Sequence, residues 1–250
     1  MHIKTDGIVI REMNLSENDK LITVLSRGNG VFKVFANGAR RVKSDLGASS
    51  QLLAYSGMTI YRGKDKYIIN EAETKEMFFS LRSDVEKLFL AQYFCELFEA
   101  LSPREQPAEE YLRLMLNALH ILSEDKRPAL QIKAVTELRL LSMSGYMPDL
   151  VACAECASYE SDVMYFFVKQ GNIVCGDCHK PAGERTVQLH RGVLTAMRHS
   201  IYSEFPKLFS FALPEPALRQ FSGAAELCLL AHTESNFPTL SFFKDVADLP

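Results

Sequence analysis

Two C-x-x-C pairs constrain this chain more than any other feature: Cys153-Ala-Glu-Cys156 and Cys175-Gly-Asp-Cys178, with eighteen residues between them. A two-residue spacer lets both sulfurs of one tight turn point at the same ion, so the pattern reads as a four-thiolate zinc site of the ribbon type. The second pair has to arrive from another segment. Met164-Tyr-Phe-Phe-Val168 and Ile173-Val174 flank Lys169-Gln-Gly-Asn172, which predicts a hairpin that carries Cys175 back beside Cys153 and Cys156. Two other readings use the same cysteines. Disulfides persist mainly in oxidising compartments. A thioredoxin-like C-x-x-C sits at a helix start after a strand, a poor match to two pairs flanking a hairpin. Glycine often follows the second cysteine of such a turn, where the backbone tends to positive φ, yet Ala157 and His179 stand there. His179 is a conceivable substitute ligand, and with four thiolates at hand it reads as a bystander. Four cysteines close the coordination shell, so the expected cofactor is one structural Zn2+ that stabilises a subdomain too small to bury its own core.

The rest of the chain is built for a sizeable core. It has 250 residues, of which 47% are hydrophobic, enough for one to three domains. No apolar run reaches the roughly 18 residues that a membrane span requires. The opening Met-His-Ile-Lys-Thr-Asp lacks a basic-then-apolar signal, and with cysteines spaced for metal this gives a cytoplasmic expectation. The net charge of −3 is unevenly spread. Residues 1–66 hold eleven Lys/Arg against six Asp/Glu, a net of +5, and the remainder has a net of −8. A basic N-terminal module on an acidic body calls for a functional hypothesis: a lone basic run is usually only solvated surface, but on the loops of a small barrel it also suits nucleic acid.

Residues 1–78 read as strands. Gly7–Ile10, Leu21–Leu25, Val31–Phe35, Met58–Tyr61 and Tyr67–Ile69 are β-branched or aromatic runs separated by turn-formers, with Gly28-Asn-Gly30 as a hairpin turn. Five short strands suit a small barrel, and the natural candidate is an OB-fold, with room for one helical turn between the third and fourth runs. In the third run Phe32, Val34 and Ala36 point one way and Val31, Lys33 and Phe35 the other. A lysine beside an outward aromatic can serve a nucleic-acid strand by phosphate neutralisation plus base stacking. The bland alternative is a solvated face with Phe35 packed on a loop. Arg11, Lys20, Arg40, Arg41, Lys43, Arg62, Lys64 and Lys66 complete a set of cations that can follow a phosphate backbone.

From residue 79 to 250 the period is helical. Ser83 with Glu86 reads as a capping box, followed by Val85, Leu88, Phe89 and Cys95 on an apolar face. A second helix follows Pro107, and a third runs from about Pro128 to a stop at Gly145. Helical pattern resumes at Val193 and again after Pro214-Glu-Pro216. This predicts one helical domain with residues 150–182 as a zinc-binding excursion between its third and fourth helices. Cys95 and Cys228 fall on apolar faces and read as core. The fold class expected is multi-domain α+β, an OB-fold barrel followed by a helical domain with an inserted zinc-ribbon-like element of four cysteines.

No H-E-x-x-H, G-x-S-x-G, P-loop or dinucleotide fingerprint occurs, so the chain reads as a binding protein and not an enzyme. A zinc-dependent nucleic-acid enzyme would need a further, open metal site. A zinc-ribbon adaptor that only bridges proteins would suit the acidic body but leaves the basic barrel loops without a purpose.

Several segments together resemble the bacterial recombination mediator family RecO. They are Gly7-Ile-Val-Ile-Arg11 with Glu17-Asn-Asp-Lys20, then Gly38-Ala-Arg-Arg-Val-Lys-Ser44 and Tyr61-Arg-Gly-Lys64. The stretch Gly145-Tyr-Met-Pro148 running into Cys153-x-x-Cys156, and Thr239-Leu-Ser-Phe-Phe243 near the end, are similar to that family's central motif and ending. The resemblance implies an N-terminal OB-fold and a helical domain with a zinc module. It implies binding of single- and double-stranded DNA and annealing of complementary strands. It further implies action with RecR to load RecA onto strands covered by single-stranded-DNA-binding protein (SSB), at the bacterial nucleoid. Asn172 before the last cysteine pair and Ala157 depart from the glycines usual there.

Overall fold

Five strands, β1 (His2–Asn14), β2 (Lys20–Ser26), β3 (Gly30–Ala36), β4 (Tyr55–Arg62) and β5 (Tyr67–Glu76), close into a barrel in the order β1-β2-β3-β5-β4. That order, with β3 and β5 parallel at Phe35 and Ile68 and all other pairs antiparallel, is the OB-fold. The computed structural model describes residues 2–64, 66–180, 183, 185–233 and 236–249. Alternation fills the barrel: Val9, Ile22, Val24, Phe32, Val34, Met58, Ile60 and Ile69 pack inside. Four of the predicted runs lie inside their strands and Tyr67–Ile69 opens β5; β1 extends well beyond its run because it pairs with β2 and β4, and β5 because it pairs with β4 out to Glu76. Residues 37–54 form turns and no helix, although Ser50 N–H donates to Leu46 O at 3.1 Å within one of them.

The protein divides into two compact units, Met1–Glu124 with Phe237–Pro250, and Asp125–Asn236. In the first, α1 (Val85–Leu101), α2 (Glu109–Ser123) and α6 (Pro238–Val246) accompany the barrel. α1 begins one residue later than the capping box predicts. Asp84 accepts from Lys87 N–H at 3.1 Å, while Ser83 Oγ is drawn back to Ser80 O at 2.8 Å by a preceding 3-10 turn. α6, which no sequence pattern marks as a helix, packs along α1. Glu96 accepts from Thr239 N–H and Oγ1 (3.2 and 2.6 Å), and Phe242 stacks on Phe89.

The α1–α2 connection is clamped to the β2–β3 turn. Val31 N–H donates to Pro103 O at 2.8 Å, and at Gly30 (φ +58) a Cβ would lie 2.1 Å from that same oxygen. Only glycine allows both the left-handed turn and this approach.

In the second unit, α3 (Ala129–Met143), α4 (Arg191–Tyr202) and α5 (Glu215–Thr233) pack with a sheet of β6 (Asp149–Cys153), β7 (Val163–Phe167), β8 (Asn172–Cys175) and β9 (Thr186–His190), ordered β6-β8-β7-β9. α3 is buried nearly all round, and its apolar residues are joined in the interior by Lys133. The Lys133 Nζ lies 2.9 Å from Glu137 Oε1 and 2.9 Å from Glu226 Oε2 on α5. Burial opposes its charge, but the two carboxylates outweigh burial and raise its pKa above the usual lysine value. Removing the cation strands a buried carboxylate. Lys133→Met is therefore expected to cost about 3–5 kcal/mol, read from the urea midpoint, and adding Glu137→Gln should recover part of that loss.

Candidate nucleic-acid face and metal centre

β6 and β8 are parallel neighbours, so their C-terminal ends deliver Cys153 and Cys175 side by side. The first turn closes with Ala157 N–H donating to Cys153 O at 2.9 Å, and Ala157 takes φ +59. The chain thus adopts at Ala157 the left-handed backbone that glycine would accept without strain, at a cost on the order of 1 kcal/mol. The second turn closes with Cys178 N–H donating to Cys175 O at 3.1 Å. The four Sγ atoms of Cys153, Cys156, Cys175 and Cys178 all lie within 4.8 Å of one another, and Cys156 and Cys175 are 3.7 Å apart. A tetrahedral ion with metal–sulfur bonds of about 2.3 Å has sulfur–sulfur edges of about 3.8 Å. The donors therefore stand where a metal ion needs them.

Burial pushes the Cys153 thiol up. The N–H groups of Cys175, Cys156 and Glu155 directed at its sulfur more than offset this and hold its pKa at about 6. Cys178, with the Cys175 and Cys156 thiols against it, is pushed up to about 12. A cation at the centre is what would let all four ionise together. His179 takes no place in the cluster. Its ring lies face to face on Tyr165, 3.7 Å between centroids and 9° between planes, with Phe167 at its edge. Cys95 and Cys228 are buried among helices, and burial raises both thiols.

On the barrel, strand register sorts the predicted basic residues. Arg11 pairs with Thr23 and Thr23 with Lys33, which makes one lateral row across the outer face of β1, β2 and β3. The next row is Met13, Leu21 and Phe35. A bulge between Val9 and Arg11 makes this possible: Val9 faces the core, and without the extra residue Arg11 and Met13 would face it too. Lys20 stands apart from these two rows. It has the inward parity of Ile22 and Val24, at the end of the barrel, and pairs with Glu12 at 2.8 Å.

Arg40, Arg41 and Lys43 lie exposed on the β3–β4 connection. That loop is docked on the β1–β2 loop: Arg40 donates through its guanidinium to Ser16 O and through its N–H to Asn18 O, and Gly38 N–H donates to Asp19 Oδ1 at 2.8 Å. Arg62, Lys64 and Lys66 cluster, exposed, at the β4–β5 turn, where the Arg62 guanidinium sits 5.7 Å above Tyr67. Between this turn and β3 lies a cleft of about 400 Å³ whose lining includes Lys33, Phe35, Lys66, Tyr67, Glu99 and Glu105. Tyr67, Glu99 and Glu105 are absent from the sequence-based set. Tyr67 could have been found as an aromatic next to Lys66 at a strand start, whereas the two glutamates arrive from the α1–α2 region through tertiary packing that no local pattern announces.

Two outcomes follow from this geometry. The Asp19 carboxyl is held below the ordinary carboxylate value, first by the Gly38 N–H and then by the Ser16 hydroxyl, with Arg41 adding to the effect. Its contribution to loop order is therefore present above the unfolded value of about 3.9 and lost as pH falls through the lower folded value. Asp19→Ala should release the loop at neutral pH, seen as faster amide exchange at Gly38 and Arg40; unchanged exchange contradicts the docking. At the metal centre, purified protein should carry one metal ion per chain and Cys175→Ser close to none by elemental analysis. Metal-free wild-type protein contradicts the site.

Among the described residues no helix is long and apolar enough to cross a membrane. The family model for the N terminal of recombination protein O matches residues 1–78, and that for its C terminal matches residues 82–241. The DNA repair protein RecO of Acetivibrio thermocellus is 35% identical over 243 residues, covering 97% of this chain and 96% of that protein. The DNA repair protein RecO of Symbiobacterium thermophilum is 30% identical over 240 residues, 95% and 94% of the two chains. That of Alkaliphilus metalliredigens is 34% identical over 179 residues, 72% and 73% of the two. With both halves matched in order and relatives aligned almost end to end, the chain belongs to the RecO family of DNA repair and recombination proteins.

Proposed function

We propose that this chain is a non-catalytic recombination mediator that binds single- and double-stranded DNA on its barrel and anneals complementary strands. In this reading it acts with RecR to help load RecA onto strands covered by SSB. Residues 1–78 are the nucleic-acid module and 79–250 the helical one, with 150–182 as its metal element. The observation that carries the reading is the pairing of two rows on one sheet face, Arg11 and Lys33 in one, Met13, Leu21 and Phe35 in the next. Cations beside an aromatic on the outer face of an OB-fold suit a strand whose phosphates are neutralised while its bases stack.

Annealing on such a face is electrostatic. Two complementary strands repel each other through their phosphates, and cations that bind the backbone by displacing counterions lower that repulsion without engaging the pairing edges of the bases. The four thiolates fit zinc, which prefers a closed tetrahedral sulfur shell in structural sites, and when bound it would tie the ends of β6 and β8 together.

Single-stranded DNA binding measured across a salt series tests the barrel. Arg11→Ala with Lys33→Ala should weaken binding and flatten the logarithmic salt slope by about 0.7 for each phosphate no longer neutralised. Arg40→Ala, Arg41→Ala and Lys43→Ala together should flatten it further. Affinity and slope unchanged in both sets would move the site off the barrel.

A further inference from the structure

β6 leaves its regular pairing just before the first cysteine pair. It meets β8 at Asp149–Asn172 and again at Cys153–Ile173, so Leu150, Val151 and Ala152 stand opposite no residue of β8. Two of their carbonyls are taken from another side. Arg198, on α4, donates through Nε to Leu150 O at 2.6 Å and through Nη2 to Val151 O at 2.9 Å. The same Nη2 reaches Tyr159 O at 3.0 Å, and the guanidinium carbon lies 4.2 Å from the centre of the Tyr159 ring. Leu150 and Val151 lead into the turn that holds Cys153 and Cys156, and Tyr159 leads out of it. One planar fork therefore grips both arms of the loop at its neck, a geometry that a lysine ammonium does not offer.

Nothing in this grip depends on an ion. Val193, Leu194, Met197 and Ile201 are buried, so α4 is anchored by its own apolar face. Inside the neck the backbone closes on itself, with Cys153 N–H donating to Ser158 O and Ala157 N–H to Cys153 O, both at 2.9 Å. Arg191 also ties α4 to this segment, through Glu160 at 3.0 Å, but those side chains are 75% and 61% exposed. Such an exposed pair holds a loop only weakly.

We propose that Arg198 is a positioning residue for the metal centre, holding Cys153 and Cys156 in their places ahead of metal binding. The inference rests on the four cysteines as a metal site and adds what prearranges half of the donor set. Gathering thiols from a loose loop costs conformational entropy, and a loop already closed at its neck has less of it to lose. Leu150 is fully buried, whereas Val151 and Tyr159 are 50% and 56% exposed. Arg198→Lys keeps a donor for the buried carbonyl, leaves the outer two to water, and gives up the bridge between the arms. It therefore removes position while sparing the fold.

The test uses the full chain, stripped of metal under reducing conditions and titrated with Co2+ against a competing chelator. The thiolate charge-transfer absorption of Co2+ reports sulfur ligation. Arg198→Lys should bind Co2+ about tenfold more weakly than wild type, the lower end of what removing an orienting partner of a metal ligand costs. Arg198→Met should bind it more weakly still, and Arg191→Ala should stay within about twofold of wild type. In the metal-free proteins, amide exchange at Cys153 and Ala157 should be about tenfold faster in Arg198→Lys than in wild type, with exchange in α3 and α5 unchanged. Co2+ affinity equal to wild type in Arg198→Lys overturns the proposal. So does faster exchange throughout α3 and α5 in that variant, which makes Arg198 a general support of the unit. The metal reading fails separately, if wild-type protein itself shows no thiolate absorption with Co2+, and the proposal then falls with it.

Discussion

One extra residue in β1 decides what the outer face of the barrel presents. Side chains alternate along a strand, so a shift of one residue exchanges its two faces. Val9 is fully buried in the barrel core, and regular alternation from it would bury Arg11 and Met13 as well. The bulge between Val9 and Arg11 resets the register against β2, so that Arg11 lines up with Thr23 and Lys33, and Met13 with Leu21 and Phe35. The same sheet before the bulge keeps its outer side apolar, with Ile8 buried, and Ile10 within the bulge is buried too. A buried support and a chemically mixed outer surface thus follow one another along a single face.

The metal centre obeys a different constraint. A four-stranded sheet with strands of four or five residues buries little on its own, and the parallel β6–β8 pair is its thinnest connection. Four sulfurs gathered at the ends of those two strands and in the turns after them would, with a metal ion bound, supply a cross-link that burial cannot. The positive φ at Ala157 and the N–H groups directed at the Cys153 sulfur suit thiolates gathered around an ion. With four sulfur donors, an ion bound there would have no position left for a substrate.

Much of this was legible in the sequence because it is local. Period-two runs gave the five strands, and the cysteine spacing with its intervening apolar runs gave the β7–β8 hairpin. Lys33 and Phe35 were placed on one face by alternation alone. What was not legible depends on pairing between distant segments. Lys20 reads as one more cation on a basic strand, yet parity turns it toward Glu12. The bulge at β1 has no glycine or proline to mark it. Ser83 satisfies the capping pattern, but the 3-10 turn before it takes its hydroxyl and leaves Asp84 to cap α1. α6 returns to α1 across more than a hundred residues of chain, which is also why the last segment belongs to the barrel's unit. Glu99 and Glu105 look like ordinary surface charge until the clamp at Gly30 brings their segment to the cleft.

The most direct test of the central claim, that the outer face of β1–β3 holds the strand, is photocrosslinking of a bromodeoxyuridine oligonucleotide to the full-length protein, with the attached residues located by mass spectrometry. Adducts on Phe35 and Tyr67, lost when excess unlabelled single strand is added, are the predicted result. Specific adducts confined to residues 125–236, with none on the barrel, would contradict it.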